Sequence, residues 1–150
     1  MATAIPTPTA TQTSLLIDLT VDDLQVIQLD ILDPDEPFSV QATVSNIGDV
    51  DISGQFFVDF YLNPSQTGPF LISESVAFKT IFGLAVGTQQ TINVTIPGGM
   101  VQTVDNTLYV QVDSFNQINE TNEANNETAV LNFDVLPRKE WFIYLPFIKK

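Results

Sequence analysis

The chain has 150 residues, 44% of them hydrophobic, with 18 acids against 5 bases, and it contains neither Cys nor His. That length accommodates one domain with tails. The missing thiols and imidazoles exclude a disulfide framework, a thiolate metal centre, a Cys nucleophile and the commonest general base. A formal net charge of −13 repels phosphate backbones and argues against nucleic acid as a partner.

The charge is unevenly spread. Residues 1–137 carry seventeen acids and one base, Lys79, whereas the last thirteen residues carry four bases (Arg138, Lys139, Lys149, Lys150) and one acid, Glu140. A basic end beside an acidic body favours contact between the two, within one chain or between copies. No stretch approaches the roughly 20 apolar residues of a spanning helix. No basic-then-apolar leader opens the chain, so a secretory signal peptide is not expected within it.

In chain order, residues 1–14, with the run ATAIPTPTATQTS, lack any periodic apolar face and read as a Thr/Pro-rich linker. Residues 15–137 read as the folded domain. In DLQVIQLDIL the inward set shifts from Leu24 and Val26 to Ile27, Leu29 and Ile31, which implies a bulge or a strand that changes sheets. PFSVQATVSN alternates cleanly, with Phe38, Val40, Ala42 and Val44 on one face. QFFVDFYL sets Phe56, Val58, Phe60 and Leu62 against Gln55, Phe57, Asp59 and Tyr61. TINVTI offers Ile92, Val94 and Ile96, and TLYVQVD offers Leu108, Val110 and Val112. ETAVLNFDV places Ala129, Leu131, Phe133 and Val135 inward. Turn chemistry separates these runs at 46–54, 63–69, 82–88, 97–99 and 113–127. Period two in so many segments, without a long amphipathic helix, predicts an all-β fold. About seven strands would form an antiparallel β-sandwich of immunoglobulin or fibronectin type III character.

Two of these stretches carry more than a strand pattern. VSNIGD closes the second run, and VDSFNQINETNEANN joins the last two. Together with the order of the strands between them, they resemble the CARDB family of bacterial exported proteins over about residues 18–135. Asp113, Asn116, Ile118, Glu120, Glu123, Asn125 and Asn126 fit that family's loop pattern. The resemblance implies a fibronectin-like module without agreed catalytic activity, found in repeats beside adhesive or enzymatic domains. The tail PRKEWFIYLPFIKK resembles short endings of some bacterial exported proteins.

The 113–127 loop has three readings. Asp113, Asn116, Glu120, Glu123, Asn125 and Asn126 supply the hard oxygens that Ca²⁺ prefers, although no Gly or alternating Asp/Asn spacing of an EF-hand is present. Asn and Asp equally shape long turns by bonding their own backbone. Glu120 and Glu123 fit one helical turn, with Asn119 as its cap. Direct recognition of a partner is the third reading. No other cofactor is expected, and no carboxylate pair is visibly set in an apolar cleft, so no catalytic residue is assigned. Outward Phe57 and Tyr61, with Tyr109, fit either a sugar-stacking platform or a covered patch.

Residues 138–150 form an apolar-basic tail in which Trp141, Phe142, Ile143, Tyr144, Leu145, Phe147 and Ile148 are apolar on both faces. Left in water such a segment invites pairing. It would dock on its own sandwich, assemble with a neighbour or serve as a sorting signal. The expected function is a non-catalytic adhesion or structural module, extracellular or on a bacterial cell surface. Its partner would be another protein or copies of itself, extending to filament-like assembly. The alternative is a carbohydrate- or Ca²⁺-binding accessory module of a larger secreted enzyme, with cell-surface polysaccharide as the partner.

Overall fold

A computed structural model describes residues 16–27, 34–100 and 106–133. Seven strands follow one another: β1 (Leu19–Val26), β2 (Phe38–Asn46), β3 (Ile52–Leu62), β4 (Ala77–Leu84), β5 (Gln89–Ile96), β6 (Asn106–Val112) and β7 (Glu127–Phe133). They form two antiparallel sheets, one ordered β1-β2-β5 and the other β4-β3-β6-β7. The all-β sandwich expected from the two-residue alternation is therefore present. The 138–150 tail, with Trp141, Phe142, Ile143, Tyr144, Leu145, Phe147 and Ile148, lies outside the described residues.

The core is what alternation dictates. Phe38, Val40, Ala42 and Val44 of β2 meet Phe56, Val58 and Phe60 of β3 and Leu108, Val110 and Val112 of β6, all essentially without solvent contact. Leu19 and Val21 extend this core from β1, and Ile92 and Ile96 from β5. Burying such side chains is the main favourable contribution to folding, roughly 1.5–3 kcal/mol for each large one.

Three local details depart from the sequence pattern. β1 begins at Leu19, earlier than DLQVIQLDIL suggests, and its register breaks between Asp22 and Gln25, where Asp23 takes φ 52°. An extra residue there shifts the inward set, so an irregularity precedes Val26, whereas Leu29 and Ile31 lie outside the described residues. β4 occupies AFKTIFGL and takes over part of the 82–88 stretch read as a turn; the turn itself is 85–88. Exposed Phe78 and Phe82, with Lys79 between, leave this edge strand without a clean apolar face. In β7, Ala129 pairs with Tyr109 and Thr128 with Val110. Directly paired residues share a face, so Ala129 lies on the outer face and not in the core, because a one-residue slip reverses every side.

Asn46 joins the layers. Its Nδ2 donates to the Val50 carbonyl at 2.8 Å and to the Leu84 carbonyl of β4 at 2.9 Å, while its Oδ1 accepts from the Gly48 amide at 3.1 Å. Gly48 follows because a Cβ there would collide with the Leu16 carbonyl and the Asp18 amide. The VSNIGD stretch is thus an inter-sheet tie and a seat for the start of β1. Removing a buried amide strands its partners without water. Asn46→Ala is expected to cost about 2–4 kcal/mol in urea unfolding. The exposed Asn93→Ala, which loses only its bond from Gln41, should stay within about 0.5 kcal/mol.

Candidate functional site

The connection between β6 and β7 starts with Asp113 at φ 47°, a left-handed conformation that Asp and Asn tolerate. Its buried carboxylate accepts from the Gln117 amide at 3.1 Å and the Ile118 amide at 2.8 Å, and its carbonyl accepts from the Asn116 amide at 2.7 Å. These bonds fold 113–118 into a closed turn. Asn116 sits exposed on it at φ 49°. The single helical turn is a 3-10 turn over Glu123–Asn125, capped by Asn122, whose Oδ1 accepts from the Ala124 amide at 3.1 Å. Asn119 is therefore not the cap, and Glu120 lies before the turn. Glu123 reaches back to accept from the Glu120 amide at 3.1 Å.

Glu120 is the centre of the loop. One carboxylate oxygen accepts from the Leu19 amide at 2.5 Å, and the other accepts from Asn126 Nδ2 at 2.8 Å. Next to it, the Thr121 amide donates to the Ile17 carbonyl at 2.9 Å. Asn125 Nδ2 donates to Asp18 at 2.9 Å, and Thr20 Oγ1 donates to the Asn125 carbonyl at 3.2 Å. The far side of the same segment is held by the Ile47 amide on the Asp18 carbonyl at 2.8 Å and the Asp49 amide on the Leu16 carbonyl at 2.6 Å. The entrance to β1 is thus gripped from both sides by the two sequence stretches that carried the resemblance.

Of the six candidate ligands, Glu120, Glu123 and Asn126 are drawn together. Asp113 is close enough to interact with them electrostatically, Asn125 turns to Asp18, and Asn116 stands apart on the surface. Among the described residues no three acidic side chains stand grouped to hold a metal ion. Among their buried oxygens, Asn125 Oδ1 and Asn126 Oδ1 remain without a partner. Outside the loop, the expected Phe57–Tyr61–Tyr109 platform is divided. Tyr61 is fully buried and stacks on Phe70 at 4.6 Å, and Phe70 also covers Tyr109 at 4.9 Å. The connection after β3 supplies that Phe, which alternation within the strands could not reveal. Tyr61 therefore offers no face to a sugar.

Burial raises the Asp113 carboxyl above its ordinary value, against the lowering effect of the Ile118 and Gln117 amides. Burial likewise pushes Glu120 up to about 7, against the Leu19 and Asn126 bonds, and the charges of Glu123 and Asp113 add to the rise. The folded chain then holds a proton that the unfolded chain releases near 4.5. The associated stability is complete below about pH 4.5 and is lost as pH rises through about 7. Urea unfolding across that window should show a loss on the order of 1–3 kcal/mol, and Glu120→Gln should flatten most of the slope. Equal slopes in the two proteins would refute the assignment.

The comparisons agree with this architecture. The chain matches the CARDB family over residues 16–130. Among solved structures, a CARDB domain from Pyrococcus furiosus, crystallised in complex with di-metal ions, superposes with a TM-score of 0.62 at 19% identity, covering 84% of this chain and 100% of that one. A domain of a putative cell surface protein from Methanosarcina acetivorans superposes with a TM-score of 0.57 at 24% identity, covering 85% of this chain and 99% of that one. No curated protein sequence matches the chain. Among the described residues no helix is long and apolar enough to cross a membrane. Family match, strand order and the two gripping loops lead to one conclusion: the chain belongs to the CARDB family of non-catalytic β-sandwich modules.

Proposed function

We propose that the chain is an adhesive or structural module of a bacterial surface or secreted protein, working by shape and contact outside the cell. The observation that carries this reading is the use made of the loop's buried polar groups. The Asp113 carboxylate is committed to the Gln117 and Ile118 amides and closes the turn. The Glu120 carboxylate is committed to Asn126 and to the Leu19 amide, through which it fastens the β6–β7 connection to the first strand of the opposite sheet. Such bonds hold geometry. The cell-surface description of the Methanosarcina relative supports the location.

Assembly is assigned to the tail, because its bases complement the acidic body and its Trp141–Ile148 run is apolar on both faces. Light scattering of the full chain and of a chain lacking residues 138–150 tests this. The full chain should be oligomeric and the shortened one monomeric. A full chain that is monomeric at all concentrations would remove the assembly role.

Binding of Ca²⁺ is a second reading, favoured by one observation. Glu120, Glu123 and Asp113 crowd negative charge beside the unpartnered oxygen of Asn126. A cation would relieve that crowding, with Glu120, Glu123 and Asn126 as its ligands, and the Pyrococcus relative holds metal ions. Millimolar Ca²⁺ should then raise Tm by about 2–5 °C, and Glu123→Gln should abolish the rise. An unchanged Tm would dispose of this reading and leave the structural one intact.

A further inference from the structure

The outer face of the β4-β3-β6-β7 sheet carries a cleft of about 280 Å³ lined by Phe57, Asp59, Ile72, Ser75, Phe78 and Phe115. It forms where β6 ends and the 113–115 turn swings a ring over β3. Phe57 meets Phe78 at 6.3 Å between centroids and Phe115 at 5.1 Å, tilted by 60° and 59°. Phe78 and Phe115 are exposed, so these walls face solvent. The floor is Asp59, only 3% exposed. Ser75 Oγ donates to one of its oxygens at 2.5 Å, and Ser114 Oγ donates to the other.

Two neutral hydroxyls leave this carboxylate with acceptor capacity on both oxygens and supply it no counter-charge. Among the described residues no cationic side chain is paired with it. Lys79, the one base among them, alternates with Phe78 along β4, so the pleat sends it toward the opposite face. A buried charge without a counter-charge is costly, and the negative faces of surrounding rings make a cation the preferred partner. Rings tilted by some 60° form a cage, whereas a pyranose needs a flat platform.

We propose that this cleft is a binding site for an organic cation, the guanidinium or ammonium group of an arginine or lysine side chain on a basic segment of a partner protein. The cation's alkyl stem lies against Phe115 and Ile72, and its head donates to Asp59. The chain's surplus of acids draws such a partner in. The inference goes beyond the structural reading and depends neither on Ca²⁺ binding nor on the tail, although Ser114 and Phe115 of the 113–127 loop help to build the cleft.

The test is an NMR titration of the full-length protein with N-acetyl-arginine amide, with N-acetyl-citrulline amide as the neutral isostere. Arginine amide should give saturable shifts confined to Phe57, Asp59, Phe78 and Phe115. Binding should be roughly tenfold weaker for citrulline amide and for Asp59→Asn, and about fivefold weaker for Phe115→Ala. Phe115 lies half exposed in a turn, so its variant keeps the test valid if Asp59→Asn disturbs folding. Equal binding of the charged and neutral amides, or undiminished binding by the Phe115→Ala protein, would overturn the proposal.

Discussion

A single contact between sheets organises much of this domain: the Glu120 carboxylate on the Leu19 amide. Glu120 belongs to a loop of the four-stranded sheet, and Leu19 opens the first strand of the three-stranded one. The bond is buried, so its loss would leave an amide and a carboxyl without water. Asn126 holds the other oxygen of Glu120, Glu123 braces the Glu120 amide, and Thr121 repeats the attachment at Ile17. The loop's shape follows from what it must reach.

Asn46 performs the corresponding task from the other side. It bonds across to β4 and positions Gly48, beneath which the 16–18 segment passes. The hydrophobic core holds the layers together without fixing how they are aligned, since burial is non-directional. Directional bonds from Asn46 and Glu120 fix the alignment. This division of labour accounts for a surface loop rich in Asn and Glu whose key side chains are nevertheless buried.

Much of this was legible in the residues. Phe38 to Val44, Phe56 to Phe60 and Leu108 to Val112 declared their faces by strict alternation, and the sandwich followed. Reading failed where a neighbour decides the outcome. β7 needed its pairing with β6 to reveal that Ala129 faces outward. β4 lies on an edge, where Phe78 and Phe82 remain exposed and Lys79 interrupts the pattern. Tyr61 reads as outward and is outward, yet Phe70 from a later loop roofs it over. In the 113–126 loop the sequence singled out Asp113, Glu120, Glu123 and Asn126 by type. The backbone at 17–19, which Glu120 and the Thr121 amide reach, is about a hundred residues away and carries no signature in side-chain chemistry.

Asp59 illustrates the same limit in another place. Within QFFVDFYL it is one polar residue on an outward face, and only the arrival of Ser75, Phe78 and Phe115 from other segments turns it into the floor of a cleft. Backbone amide exchange measures the central claim most directly. If Glu120 fastens β1 to the opposite sheet, the Leu19 and Thr121 amides should exchange as slowly as that of Val110 in the core, opening only with global unfolding. Rapid exchange at Leu19 and Thr121 while Val110 stays protected would mean that the loop does not hold the strand, and the account would fail.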